Sequence, residues 1–207
     1  MLKNFKDTRN PLIGKKIAAI GDSFVYGHTL GTDKVWLEKI ANRNNMFSLN
    51  YGINGNCIAG MKGISSRFIE MENNLDYVVI LGGHNDANPK NNISIGQNTD
   101  YTIDTFKGAL NILINGLIKK YPFAKILFLT PFNRYSYELD YVNAMVDICD
   151  LYNIPYFNCY TSSGINFYME EERKKYDLKV NGAYSKHLTE LGNEIFSRKI
   201  EVILKSL

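Results

Sequence analysis

Residues 17–27 read Ile17-Ala18-Ala19-Ile20-Gly21-Asp22-Ser23-Phe24-Val25-Tyr26-Gly27. The apolar run over residues 17–20 has the length of a buried strand, and Gly21-Asp22-Ser23 ends it abruptly. Strand ends of this kind are where open α/β sheets place their ligands. A serine on a tight turn there projects its hydroxyl from the sheet, which suits a nucleophile if a base and an oxyanion site can reach it. Gly-Asp-Ser is equally ordinary turn chemistry, so the decision passes to the rest of the chain.

Working outward, residues 1–14 are polar, contain Pro11, and read as an arm into the first strand. Residues 24–34, with Gly27 and Gly31, read as a loop, after which Trp36, Leu37 and Ile40 recur at helical spacing. Residues 46–51 predict a second strand, broken by Gly52-Ile53-Asn54-Gly55-Asn56, and a short helix follows over 65–72. Tyr77-Val78-Val79-Ile80-Leu81 predicts a central strand, stopped by Gly82-Gly83. After a polar loop, Ile103, Phe106, Leu110, Leu113 and Leu117 mark a helix that ends at Lys119-Lys120 before Pro122. Residues 125–129 give a fourth strand, and Val142, Met145, Cys149 and Tyr152 a further helix. Residues 155–157 give a short fifth strand, and Leu188, Leu191, Ile195, Ile200 and Leu204 the last helix, with His187 at its mouth.

Strands alternating with helices predict an α/β fold: a doubly wound, five-stranded parallel sheet in a three-layer α/β/α sandwich, flavodoxin-like in outline. That order brings Ser23, the 52–55 turn and the 82–86 turn to one rim, over which His187 can close. The 207 residues fit a single domain spanning 1–207. Hydrophobic residues are 45% and charged residues 22%, an ordinary globular balance that argues against disorder. No stretch approaches the roughly 20 apolar residues that span a bilayer, and residues 1–16 lack the apolar middle of a secretory signal. A soluble, cytoplasmic protein with no membrane partner is expected. A net charge of +3 from scattered basic residues gives no support to nucleic-acid binding. Cys57, Cys149 and Cys159 are odd in number and follow no metal-ligand spacing, so reduced thiols are expected and neither a metal nor another cofactor.

Four blocks in chain order carry a resemblance. Gly21-Asp22-Ser23, Asn50-Tyr51-Gly52-Ile53-Asn54-Gly55, Gly83-His84-Asn85-Asp86 and His187-Leu188-Thr189 with Gly192 resemble the motifs of the SGNH hydrolases, the GDSL-type esterases and lipases. The resemblance covers nearly the whole chain. It implies the fold of that family, Ser23 as nucleophile, His187 as base, and the Gly55 N–H and Asn85 amide as oxyanion donors. Such donors, set before reaction to receive the charge of a tetrahedral intermediate, are each worth on the order of a hundredfold in rate. Asp22 and Asp86 read as turn holders. His84 stands where a small residue is common in the family, and with Tyr184 is a candidate to line the substrate site.

One position departs from the family. Three residues before His187, where a triad aspartate is expected, stands Tyr184. Two groups can take its place: Asp177, a candidate orienting acid, or a backbone carbonyl near Tyr184, which is the preferred reading. The resemblance implies a serine esterase acting on a short acyl group such as acetyl on a carbohydrate, and the polar 86–100 loop, with only Ile93 and Ile95 as large aliphatics, is no lipase lid. Two other classes compete: a catalytically silent ligand-binding module on the same fold, and a nucleotide binder. The latter wants a loop richer in Ser, Thr and Gly than residues 21–27 supply.

Overall fold

The apolar runs become the inner strands of a parallel sheet. The computed structural model describes residues 10–207. Its elements are β1 (Lys16–Gly21), α1 (Ser23–Tyr26), α2 (Trp36–Asn44), β2 (Phe47–Gly52), α3 (Ile64–Arg67), β3 (Tyr77–Leu81), α4 (Phe106–Lys120), β4 (Lys125–Leu129), α5 (Glu138–Leu151), β5 (Tyr156–Phe157), α6 (Cys159–Ser162), α7 (Glu170–Tyr176), β6 (Asp177–Val180), β7 (Ala183–Leu188) and α8 (Glu190–Ser206). The order β2-β1-β3-β4-β5 is parallel throughout, and β6 and β7 form a separate antiparallel ribbon. The chain leaves β1 on one side for β2 and returns on the other for β3, so the switch point of the sheet lies between β1 and β3, beyond whose ends Ser23 and Asn85 stand.

Alternation along the strands divides the core. Ile17, Ala19, Val79, Leu81 and Leu129 face Trp36, Ile40, Phe196 and Ile200 of α2 and α8. Ala18, Ile20, Val78, Ile80 and Phe128 face Leu110, Leu113, Met145 and Ile148 of α4 and α5. Both sides of β1, β3 and β4 are covered, which is why these strands read as unbroken apolar runs. Each large aliphatic side chain so buried contributes about 1.5–3 kcal/mol. This is the three-layer, doubly wound α/β architecture expected. No helix among the described residues is long and apolar enough to cross a membrane.

Three local readings change. Residues 23–26, expected at the head of a loop, make a four-residue helix because the Asp22 carboxylate accepts the Phe24 N–H and Gly27, at φ 85°, closes the turn in the left-handed region. The arm expected over 1–14 lies outside the described residues up to residue 9, but Leu12 is fully buried in the α2/α8 side of the core. In α8 the buried face runs through Gly192, Asn193, Phe196, Ser197, Ile200 and Leu204, while Leu191 is exposed. Asn193 belongs there because its Oδ1 accepts the Trp36 N–H at 3.0 Å, one of the donors that the start of α2 would otherwise leave unpaired.

At Gly21 the sheet tolerates no side chain. A Cβ there would lie 2.1 Å from the Leu81 carbonyl oxygen and 2.5 Å from Val25 Cγ2. Gly21→Ala is therefore expected to lower the unfolding free energy by about 3 kcal/mol or more, since central backbone must shift to admit it. A urea midpoint within error of wild type would contradict this packing.

Candidate active site

The three turns at the rim are pinned to one another by backbone bonds. The Asp22 N–H donates to the Leu81 carbonyl at 3.2 Å and the Ile53 N–H to the Gly21 carbonyl at 3.0 Å, so the turns after β1, β2 and β3 share one frame. The buried Asp86 carboxylate then takes the N–H groups of Ile58 at 2.8 Å and Ala59 at 2.9 Å, clamping the segment after Gly55 to the segment that carries Asn85. Burial pushes the Asp86 carboxyl up to about 7 against the pull of those two N–H groups. Asp22 is likewise buried, and burial by itself would raise its pKa. His84, the Phe24 N–H and Arg134 outweigh that effect and hold it below the ordinary carboxylate range.

Ser23 opens α1 and its Oγ lies 2.8 Å from His187 Nε2. On the other side of the ring, Nδ1 lies 2.9 Å from the Ser185 carbonyl oxygen. A carbonyl only accepts, so Nδ1 carries the proton and Nε2 is free to accept the serine hydroxyl hydrogen. The ring stacks on His28 at 4.1 Å and on Phe24 at 5.1 Å between centroids. Burial, His28 and Arg134 push the imidazole down to about 3, with Asp22 and the Ser185 carbonyl acting the other way. The ring is thus a neutral acceptor over the whole physiological range.

His187 reaches Ser23 because β7 bulges. Asn181 at φ 50° and Gly182 at φ 82° form the two-residue turn of a tight hairpin. Asp177 pairs with Leu188 and Lys179 with Tyr184, which leaves one residue between the pairs on β6 and three on β7. The surplus lies at residues 185–187, and Lys186 takes a left-handed φ of 57° to absorb it. Bulges of this kind re-aim side chains beside reaction centres.

On the opposite side, Gly55 has φ 74°, a left-handed conformation that favours glycine, and no atom stands within 4 Å of where a Cβ would be. Asn85 donates one Nδ2 hydrogen to the Asn56 carbonyl at 3.1 Å, which joins it to the residue after Gly55. Its amide has a second hydrogen to offer.

The remaining candidates lie elsewhere. Asp177 does not touch the imidazole: its Oδ1 accepts the Lys186 N–H at 2.7 Å and its Oδ2 the Arg173 Nε–H at 3.2 Å. His84, expected at the substrate site, is 2% exposed. Its Nε2 accepts the Phe132 N–H at 3.0 Å, so its Nδ1 donates to Asp22 at 2.7 Å, and the ring is a strut behind the site. Tyr184, also expected there, packs instead against Arg173, 4.3 Å from its ring centroid, and Lys179 at 4.8 Å on the ribbon. Cys57, two residues after Gly55, is pushed up to about 12 by burial and by Asp86 and Asp22, so it is a thiol and a poor nucleophile. The carbonyl expected near Tyr184 is that of Ser185, the next residue, whereas sequence reasoning missed Lys186 and the His28 stack. The Asn181-Gly182 pair, a strong hairpin signal, could have shown the ribbon. Among the described residues no group of three or more His, Cys, Asp or Glu is placed to hold a metal ion.

No curated protein matches the chain. Its fold is similar to that of a protein from Lactobacillus plantarum, with 24% identity over 94% of this chain and 98% of that one and a TM-score of 0.83. It is also similar to a possible lipase from Chitinophaga pinensis, with 19% identity, 93% and 98% coverage and a TM-score of 0.70. The aryl esterase of M. smegmatis shares 15% identity over 94% of this chain and all 100% of its own, at a TM-score of 0.69. At such identities the likeness is one of fold. The family model described as GDSL-like lipase/acylhydrolase matches residues 19–195, a span that holds Ser23, Gly55, Asn85 and His187 together, and the chain therefore belongs to that family of hydrolases.

Proposed function

We propose that this hydrolase is a serine esterase that removes a short acyl group, such as acetyl, from a carbohydrate or similar polyhydroxy alcohol. The observation that carries the reading is the Ser23 Oγ to His187 Nε2 contact of 2.8 Å, with the tautomer fixed by the Ser185 carbonyl. In the first half-reaction Ser23 Oγ attacks the ester carbonyl while its proton passes to Nε2. The negative oxygen is received by the N–H groups of Ser23 and Gly55 and by Asn85 Nδ2. The C–O bond to the alcohol breaks, and Nε2 returns the proton to the leaving oxygen. Water, deprotonated by the same nitrogen, then attacks the acyl-serine and releases the acid and the free hydroxyl.

The lining of the neighbouring cleft supports the substrate class. The cavity of about 10 Å³ between Ser23, Phe24, His28 and His187 holds no more than a water, so the substrate is received outside it. Ile95 packs against the α4/α5 side of the core, and Ile93 does so while also lining the cleft beside Asp86. A wider cleft of about 370 Å³ begins at Asp86, next to Asn85, and carries Asn88, Asn92, Tyr137 and Asp140. The exposed Tyr137 ring, on the lining, stacks on Tyr135 at 5.0 Å, and Lys186 Nζ, from the residue before His187, sits 3.5 Å over the Tyr135 ring. Amides, a carboxylate and aromatic faces suit a sugar better than an acyl chain.

Acetylated sugars and aryl acetates are expected to be cleaved and long-chain esters hardly at all. Ser23→Ala should lower turnover by on the order of a thousandfold or more with the fold intact, and Asn85→Ala by about a hundredfold. Near wild-type hydrolysis by Ser23→Ala would overturn the assignment. The pH profile gives an independent check. Because His187 must be neutral to act, and burial and its neighbours lower its pKa from 6.5 to about 3, kcat/KM should hold through pH 6.5 and fall only towards about 3. His28→Asn removes one of the lowering influences and should move that limb upward; a wild-type limb centred near 6.5 would sink this account.

A further inference from the structure

Ser185 and Lys186 share one peptide group, and both of its polar ends are engaged. Its carbonyl oxygen accepts His187 Nδ1–H at 2.9 Å, and its N–H donates to Asp177 Oδ1 at 2.7 Å. With Ser23 Oγ 2.8 Å from Nε2, an unbroken line of hydrogen bonds runs from carboxylate to peptide to imidazole to hydroxyl. We infer that Asp177 is a positioning residue that acts on His187 through this peptide, its charge polarising the carbonyl that holds Nδ1. The inference rests on the reading of Ser23 and His187 as the reacting pair.

The physics follows from the peptide bond itself. Amide resonance couples N–H and C=O in one π system, so a carboxylate drawn up to the hydrogen sends electron density to the oxygen. A charge-assisted bond is about twice as strong as a neutral one, and each linked bond gains about 10–30%. The oxygen facing Nδ1 is then a better acceptor for the imidazolium formed when Ser23 loses its proton. Asp177 is 2% exposed, so its charge is little screened by water, and its other oxygen is held by Arg173, which tempers it.

The backbone is bent for this purpose. Lys186 adopts φ 57°, a conformation a lysine takes only when its surroundings impose it. Those surroundings are visible: its Nζ donates to the Arg134 carbonyl at 2.6 Å and stands over the Tyr135 ring, while its N–H meets Asp177. A carboxylate near the histidine would more simply bond Nδ1 itself. Here the bulge places one peptide between them.

The test uses two variants with opposite expected signs. Asp177→Asn keeps an oxygen for the Lys186 N–H but removes the charge. It should lower kcat by about threefold to tenfold with KM nearly unchanged, far short of the roughly ten-thousandfold loss seen when a carboxylate bonded directly to the base is neutralised. The His187 Nδ1–H proton resonance, read by NMR at neutral pH, should move upfield. Arg173→Gln, at a partly exposed position, frees the same charge and should move that resonance downfield without loss of kcat. Should Asp177→Asn fail to fold, the Arg173→Gln shift decides alone. A resonance that stays put in both variants, or moves the same way in both, overturns the relay. Failure of the underlying reading would show separately, as hydrolysis that persists in Ser23→Ala.

Discussion

The site depends on a buried chain of hydrogen bonds across the ends of three strands. Asp22, after β1, takes the His84 Nδ1–H; His84, after β3, takes the Phe132 N–H through Nε2; Phe132 follows β4. Both the carboxylate and the ring are almost fully buried, so removal of either partner strands the other in a medium that cannot solvate it. Leaving one partner of such a buried bond unsatisfied typically costs about 1–3 kcal/mol, and more for the charged carboxylate. The same carboxylate starts α1 by accepting the Phe24 N–H, and α1 presents Ser23. Where the serine points is therefore set by a bond network that no substrate touches.

That network also fixes the surroundings of His187. Phe24 stacks on His84 at 4.5 Å, on Phe132 at 4.8 Å and on His187 at 5.1 Å, so one ring connects the strut to the imidazole. The aromatic packing dries the site and depresses the basicity of His187. The nearby Asp22 charge works the other way without contact. The His187 imidazole thus balances desolvation against a buried charge on one side and the Ser185 carbonyl on the other.

Much of this was legible in the sequence because the deciding signals are local and repetitive. Residues 77–81 and 125–129 are apolar runs bounded by turns, and both became strands within those bounds. Ser23, Gly55, Asn85 and His187 were marked by short blocks at strand and helix ends, and the structure gathers those ends on one rim. What escaped was polar and non-local. His84 carries no mark in the sequence that separates a strut from a lining residue, since its partners are 62 and 48 positions away. Asn193 hides in an apolar face for the same reason, and the last helix is rotated from its expected face. Of the two groups posed to orient His187, the carbonyl faces Nδ1, and Asp177 bonds the N–H of the same peptide group.

The ribbon of β6 and β7 pairs with no strand of the main sheet, yet it carries His187. Ser23 and His187 come from parts of the chain 164 positions apart, and their hydrogen bond spans two separately paired pieces of backbone. A two-stranded hairpin has little stability of its own in water and depends on what it is packed against. Here that support is Leu188, buried in the α2/α8 side of the core, and Asn193 of α8, whose Nδ2 donates to the Leu188 carbonyl. The contact between His187 Nε2 and Ser23 Oγ thus depends on the docking of residues 177–188 as well as on the sheet that carries Ser23.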